Sequence, residues 1–414
     1  MGGFNDPIVS GGGSLVYPSI HSPNYSPGAS GWAIKKDGTA EFASLIVRET
    51  GGRTTLTPPA SDPTGVLGTQ QVGQALGASG SVLLLPGVWN FAQPLLWDDC
   101  ELVGCGDETI LQPGTAWPGL SAGEAILQPH ANASIDNLAG YGGSNTRSAN
   151  PSADFIAPAA GASFWKATRI RCDRMNGRAL YVAPSTGSHG TVTTIKGEHN
   201  GAGLWFDNGT GSSVTAECNV HDVDLQNCET GEVLFLSAVT DVLISKVNGS
   251  IAAGAAVNAA TVQGSCQTCH LTGLDLGGGN GTAIMALKQA GVSSPTDCLV
   301  EGKLQEGNIG LIVRDSTARC DFHVWCTRNQ GDNIRSDGTG AFLRFWPQMN
   351  LGNLGGGTGY DFSVLSTAHC LIADPGYASG GVTANLNIAL AGNHVTEVNP
   401  PSGRTTAGSP PAGW

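Results

Sequence analysis

Charge is scarce in this 414-residue chain, where only 13% of residues are Asp, Glu, Lys or Arg. The 20 basic residues are outnumbered by 33 acidic ones, giving a net charge of −13, and no stretch clusters Lys and Arg. Phosphate binding needs basic patches, so nucleic acid is excluded as a main partner. An apolar run of about 18 residues, the length a membrane-spanning helix needs, is missing. The N-terminus, MGGFNDPIVSGGG, lacks a basic n-region and an apolar h-region, so no secretory signal is expected. Helical repeats are excluded because no long units rich in Ala, Leu, Glu and Lys occur. Leucine-rich repeats are excluded because their Leu-rich consensus with a fixed Asn is absent. The glycines around Gly277–Gly281 lack the following Lys-Ser/Thr of a phosphate loop and read as a strand corner. His189, His199, His221, His270, His323 and His369 share no metal-ligand spacing, and nothing resembles a nucleophile elbow.

What the chain has is glycine, 61 residues of it, in a sequence that is 40% hydrophobic and built largely from Ala, Val and Leu. Such a chain can bury a long, narrow core, with glycine expected at corners where φ is positive. Gly177, Gly201, Gly231, Gly254, Gly281, Gly307, Gly331 and Gly359 recur at intervals of 23–30 residues. Three residues after seven of them stands an apolar side chain: Leu180, Leu204, Leu234, Val257, Ile284, Ile334 and Phe362. At Gly310 the pattern slips by one, between Ile309 and Leu311. A period in the twenties marks a solenoid whose units bury their apolar faces against one another. The fold class expected is therefore all-β, a parallel β-helix.

The eleven cysteines are an odd number spread from Cys100 to Cys370. Cys266-Gln-Thr-Cys269-His270 looks like half a zinc site, but Cys320 and Cys326 have the wrong spacing to complete it. Reduced thiols serving as small core residues are expected, with Cys172, Cys218, Cys228, Cys298 and Cys326 pointing inward. No metal and no cofactor is expected.

In chain order, residues 1–30 are rich in Gly, Pro and Ser with sparse apolar anchors. Trp32 and Ile34 are then separated from Phe42, Leu45 and Val47 by Lys36-Asp37-Gly38-Thr39, a hairpin signal. A lone hairpin is unstable, so a partner is implied. Ser22-Pro23-Asn24-Tyr25, Gly31-Trp32-Ala33-Ile34 and Asp37-Gly38-Thr39-Ala40-Glu41-Phe42 resemble the N-terminal module of minor tail proteins from phages of actinobacteria. That resemblance implies a virion-attachment module, usually trimeric, joining a fibre or tailspike to tail-tip or baseplate proteins. It also implies a virion location, at the phage tail tip, after assembly in the host cytoplasm.

Residues 51–62 read as a Pro/Thr linker, followed by one or two helical turns over Gly68–Leu76. Val82–Phe91, with its Leu-Pro-Gly-x-Trp word, and Cys100–Gly106 read as strands. Together they resemble the opening of pectin-lyase-like right-handed β-helices, in which the helix caps the open end of the core. This resemblance speaks to fold, since lyases, hydrolases, adhesins and tailspikes share it. Residues 115–163 are expected to interrupt the rhythm with strands at Ala125–Leu127 and Ser134–Leu138 and a long polar insertion. The domain scheme is an attachment arm over 1–50, a linker over 51–62, a right-handed β-helix over 63–398 and an extended tail over 399–414.

Glycosidases and lyases on this scaffold carry carboxylates on one outer face. Asp275 and Glu301 each lie six residues before a rung glycine, which predicts that they stack on adjacent coils. Asp222, Asp224 and Glu198 fall near the same wall. Solvated turn residues are the preferred reading of these acids over catalysis. Four residues after the rung glycines stand Tyr181, Trp205, Phe235, Asn258 and Met285, which predicts an outward apolar stripe. Packing between sister chains of a homotrimer is preferred for it, with sugar stacking second.

The sequence thus reads as a phage tail fibre or tailspike subunit engaging a host surface glycan or receptor. The alternatives are a virion-bound polysaccharide depolymerase, hydrolase or lyase, and a purely architectural baseplate protein. The balance leans away from an enzyme.

Overall fold

The computed structural model describes residues 52–118, 125–144, 148, 151–183, 189–209, 212–278, 283–339, 342–350, 359–365 and 369–373, with short strands before and after that span. The chain is an all-β parallel solenoid of about 11 turns. One face is a 13-stranded sheet of short strands running from Leu95–Trp97 to Thr406–Gly408. The other is built from longer strands, among them Glu101–Pro113, Ser134–Tyr141, Trp165–Asp173, Gly190–Glu198, Val214–Cys228, Val239–Ile251, His270–Gly278, Leu299–Gln305 and Asp321–Thr327. Each strand pairs in parallel with its equivalent one coil later, so like residues stack in columns about 5 Å apart.

The core is a set of such columns. Leu127, Ile156, Leu180, Leu204, Leu234, Ala260, Met285, Leu311, Ile334, Phe362 and Leu386 line up in the short-strand sheet, all buried. Leu180, Leu204, Leu234, Ile334 and Phe362 sit where the glycine spacing placed them, and Leu311 absorbs the one-residue slip. Elsewhere the count drifts with corner length. Ala260 takes the place expected for Val257, and Met285 the place expected for Ile284.

The corners differ from the sequence reading in a systematic way. Asp99, Asn132, Phe164, Glu217, Asp241, Thr268, Asp297, Arg319 and Phe342, each one before a buried residue near the start of a strand on the second face, have φ between 42° and 60°. These are left-handed conformations occupied by residues other than glycine, costing about 1 kcal/mol or more each. Hydrogen bonds up the ladder offset the strain, as from Thr268 Oγ1 to Asp241 at 2.6 Å and from Asn132 Nδ2 to Asp99 at 2.8 Å. Rung glycine Gly254 does take the expected positive φ, 92°, but others serve close approach instead: at Gly201 a methyl would lie 2.7 Å from the Gly177 carbonyl oxygen of the previous coil.

A helix, Val66–Ala78, covers the N-terminal end of the core with Val72, Ala75 and Leu76. It starts two residues earlier than expected because Asp62 accepts hydrogen bonds from Gly65 N and Gly68 N at 3.0 and 2.7 Å. Two boundaries shift. Arg53–Leu56, within the expected linker, is a strand in parallel register with Ser81–Leu84. Ala125–Pro129 and Ser134–Tyr141 form where strands were expected, and Asp154–Ile156 adds a rung strand within the segment expected as a polar insertion. Near the C-terminus Thr406–Gly408, within the segment expected as an extended tail, pairs with Leu386–Ile388. At the other end Trp32–Lys35 and Ala40–Phe42 pair antiparallel, with Trp32 opposite Phe42. The rung glycine Gly281 and most of the arm and tail lie outside the described residues. Among the described residues, no helix is long and apolar enough to cross a membrane.

All eleven thiols are free, and ten are buried. The neighbouring Cys298 thiol, then burial, pushes Cys320 up, and Cys269 does the same to Cys298. Burial first, with the neighbouring Glu229 and Glu101 carboxylates adding to it, pushes Cys228 up to about 12 and Cys100 up to about 11. These four thiols remain protonated at neutral pH and are poor nucleophiles. A thiol reagent added to the native protein is therefore expected to label half-buried Cys105 first. Under denaturing, non-reducing conditions eleven thiols should titrate, and a count several short of that contradicts the account.

Candidate functional site: a groove of carboxylates and tryptophans

The bend that divides each long strand carries a second left-handed ladder: Asn137, Arg169, Thr194, Asp222, Lys246 and Gly273, with φ of 53–63°. It ends at Gly273. Between inward Leu271 and Leu274 the chain uses three steps, but only two between their partners Val300 and Gly302. With one residue fewer, Gly302 adopts φ of 146° and the strands Leu299–Gln305 and Asp321–Thr327 run straight through. Strict alternation then places Phe322, Val324 and Cys326 inward and leaves His323 and Trp325 outside.

A groove of about 580 Å³ opens where the bend is lost. Asp275, Glu301, Lys303, His323, Trp325 and Trp346 line it. Trp325 is 41% exposed, unusual for an indole on a solenoid wall. The Lys303 ammonium stands 5.8 Å above its ring. His323 and Trp346 stack at 4.4 Å with an interplanar angle of 11°, presenting a flat wall beside Trp325. Exposed Glu301 and half-buried Asp275 supply the carboxylates, Asp275 being held by a 2.8 Å hydrogen bond from Gln305 Nε2.

The expected stack of Asp275 on Glu301 does not form. Asp275 pairs in register with Lys303, and Glu301 with His323, because the shortened coil displaces the second carboxylate along the strand. Both nevertheless face one groove. Asp224 lies two coils away, about 10 Å along the axis. It sits in a charged hollow with Arg169, Arg171, Lys196 and Glu198 and accepts bonds from Gln226 and Asn248 at 2.8 and 3.1 Å. Asp222 occupies the bend, where Thr194 Oγ1 donates to it at 2.9 Å.

The aromatic stripe is partly rebuilt. Tyr181, Trp205 and Phe235 do stack in register, with Trp205 and Phe235 4.4 Å apart. All three are half-buried, and Arg178, tied to buried Asp154 at 2.7 Å, lies 3.6 Å over the Tyr181 ring. The column continues through Thr261 and Ala286, so Met285 is not part of it: it is fully buried in the core column. Asn258 lies off the column too, bonding Thr261 Oγ1 at 3.3 Å. Counted from the rung glycines, the inward residue comes three places late after Gly254, which displaces Asn258, and one place late after Gly281, which turns Met285 inward. Trp325, Trp346 and Lys303 were not singled out from the sequence, and His323 was weighed only as a metal ligand, although alternating Phe322-His323-Val324-Trp325-Cys326 carries an outward tryptophan in plain view. Among the described residues no three His, Cys, Asp or Glu side chains are grouped to hold a metal ion.

No family model and no curated protein sequence matches the chain. Solved structures do. The A-module of the Azotobacter vinelandii mannuronan C-5 epimerase AlgE6 is similar with a TM-score of 0.51 and 13% identity, over 85% of this chain and 97% of that one. The catalytic unit of a GH87 α-1,3-glucanase from Streptomyces thermodiastaticus gives 0.47 and 10% over 94% and 80%. The endo-xylogalacturonan hydrolase of Aspergillus tubingensis gives 0.43 and 14% over 86% and 100%. At such identities the likeness is one of fold: the chain is a right-handed parallel β-helix of the pectin-lyase-like kind.

Proposed function

We propose that this chain engages a polysaccharide in the groove of Asp275, Glu301, Lys303, His323, Trp325 and Trp346. The single observation that carries this reading is the grouping of an exposed tryptophan and a stacked His–Trp wall with two carboxylates and an ammonium. The negative face of an indole packs against the partly positive C–H face of a pyranose, and carboxylates accept its hydroxyls. A similar fold in a protein named for mannuronan supports the same substrate class. The finer setting rests on the tail-protein words at residues 22–42. In it the chain is a minor tail protein, tail fibre or tailspike subunit of a phage, assembled as a homotrimer in the host cytoplasm. Residues 1–50 bind tail-tip proteins, and the β-helix meets the host surface.

A second reading, hydrolysis or elimination, is favoured by one fact: Asp275 and Glu301 share the groove, as an acid and a base flanking a glycosidic bond must. Incubating the protein with envelope polysaccharides and sizing the chains separates the two. Binding without shortening is the expected result. Shortening that Asp275→Asn and Glu301→Gln each reduce by about 100-fold or more establishes the enzyme. Neither binding nor shortening overturns the proposal.

A further inference from the structure

At the opening edge of the long strands, four coils form a second concavity of about 360 Å³. Its most prominent group is Phe164, whose side chain is 62% exposed and whose φ is 56°. An aromatic residue is doubly out of place there, since its ring stands in water and its backbone in a conformation that favours glycine. The ring is nonetheless fixed. His189, one coil on, stacks on one face at 4.9 Å with an interplanar angle of 7°. Glu217, a further coil on, pairs with His189 Nδ1 and sets the imidazole.

Beside this platform stand Lys166, Thr191 and Asn219, stacked in register one residue column away and all exposed. Among the described residues, none of the three makes a side-chain hydrogen bond or ion pair. Asp241 closes the far side, its Oδ1 accepting from Thr268 and its Oδ2 from Thr240 at 3.1 Å, each with a lone pair left for a ligand hydroxyl. The concavity therefore offers an anchored apolar ring, uncommitted donors and two carboxylates, with no excess of positive charge.

We infer that this concavity is a second sugar site, one that takes a neutral pyranose unit. The Phe164 ring meets the C–H face. Glu217 and Asp241 accept from vicinal hydroxyls, and Lys166 and Asn219 donate to hydroxyl or ring oxygens. The absence of a net cationic character favours a neutral unit over a uronate or phosphate. The inference rests on the glycan reading of the Trp325 groove. The coil of Asn219 lies three coils from that of Glu301, about 15 Å along the axis. One polysaccharide several units long can thus reach both sites, and joint occupancy raises affinity without new contacts.

The test uses the full chain with histidines isotopically labelled and a panel of neutral linear gluco-, galacto- and manno-heptaoses. The probe at the new site is the ring signal of His189, and the probe at the groove is the part of the tryptophan fluorescence change that Trp325→Ala removes. A heptaose that binds should shift His189 in the wild type and in Trp325→Ala. Phe164→Gly should abolish that shift and weaken heptaose binding by at least about tenfold. Glycine suits the left-handed backbone, so Phe164→Gly should melt no lower than the wild type, which keeps misfolding out of the reading. A fluorescence change with His189 unmoved overturns the second site and leaves the groove standing. No change at either probe overturns both.

Discussion

Replacing Gly197 with Ala is expected to destabilise the protein by about 4 kcal/mol, lowering its melting temperature by roughly 5–10 °C. Gly197 belongs to an inward column in which Gly140, Cys172, Gly197, Leu225, Gly249 and Leu276 follow one another. A methyl on Gly197 would stand 2.7 Å from the Cys172 carbonyl carbon of the previous coil and closer still to its oxygen. That oxygen accepts from Asn200 Nδ2 at 2.7 Å, and Asn200 Oδ1 accepts from Met175 N at 2.9 Å. Asn200 is 1% exposed, so displacing the carbonyl strands buried polar groups as well as overpacking two coils. Each contribution alone is worth about 1–3 kcal/mol. Gly73→Ala, on the open face of the capping helix where nothing lies within 4 Å, is the control. It should stabilise by up to about 1 kcal/mol. Thermal melts of the two variants check both signs.

Trp325→Ala should weaken glycan binding by about 10- to 100-fold, or ~1.4–2.7 kcal/mol. The indole is the most exposed apolar surface of the groove, and its loss removes the stacking face while leaving Asp275 and Glu301 in place. Folding should be little affected, because a side chain 41% exposed contributes little burial to the core columns beneath it. A calorimetric titration of wild type and variant with the same oligosaccharide measures the ratio. Equal affinities would move the binding site elsewhere.

Much of the architecture was legible because a solenoid writes its period into the chain. Leu180, Leu204 and Leu234 recur at fixed offsets from glycines whose missing side chains let neighbouring coils approach. The offsets failed where corners change length, by three residues after Gly254 and by one after Gly281, and Met285 was then assigned to the wrong face of its strand. Nor could the corners be read from glycine. Phe164, Arg169, Glu217 and Phe342 adopt positive φ because ladder contacts above and below hold them there, information carried by neighbouring coils rather than by local sequence. The carboxylates Asp275 and Glu301 were found by spacing, but their partners were not. The groove exists because one residue is missing from the bend between Val300 and Gly302, a difference visible only once strands are placed in register.

The most direct test of the central claim is a crystal structure of the full chain with the best-binding oligosaccharide. The account predicts a pyranose ring lying flat on Trp325, with its hydroxyls within hydrogen-bonding distance of Asp275 or Glu301. Sugar density seated elsewhere, with the Trp325–Trp346 groove empty, would contradict it.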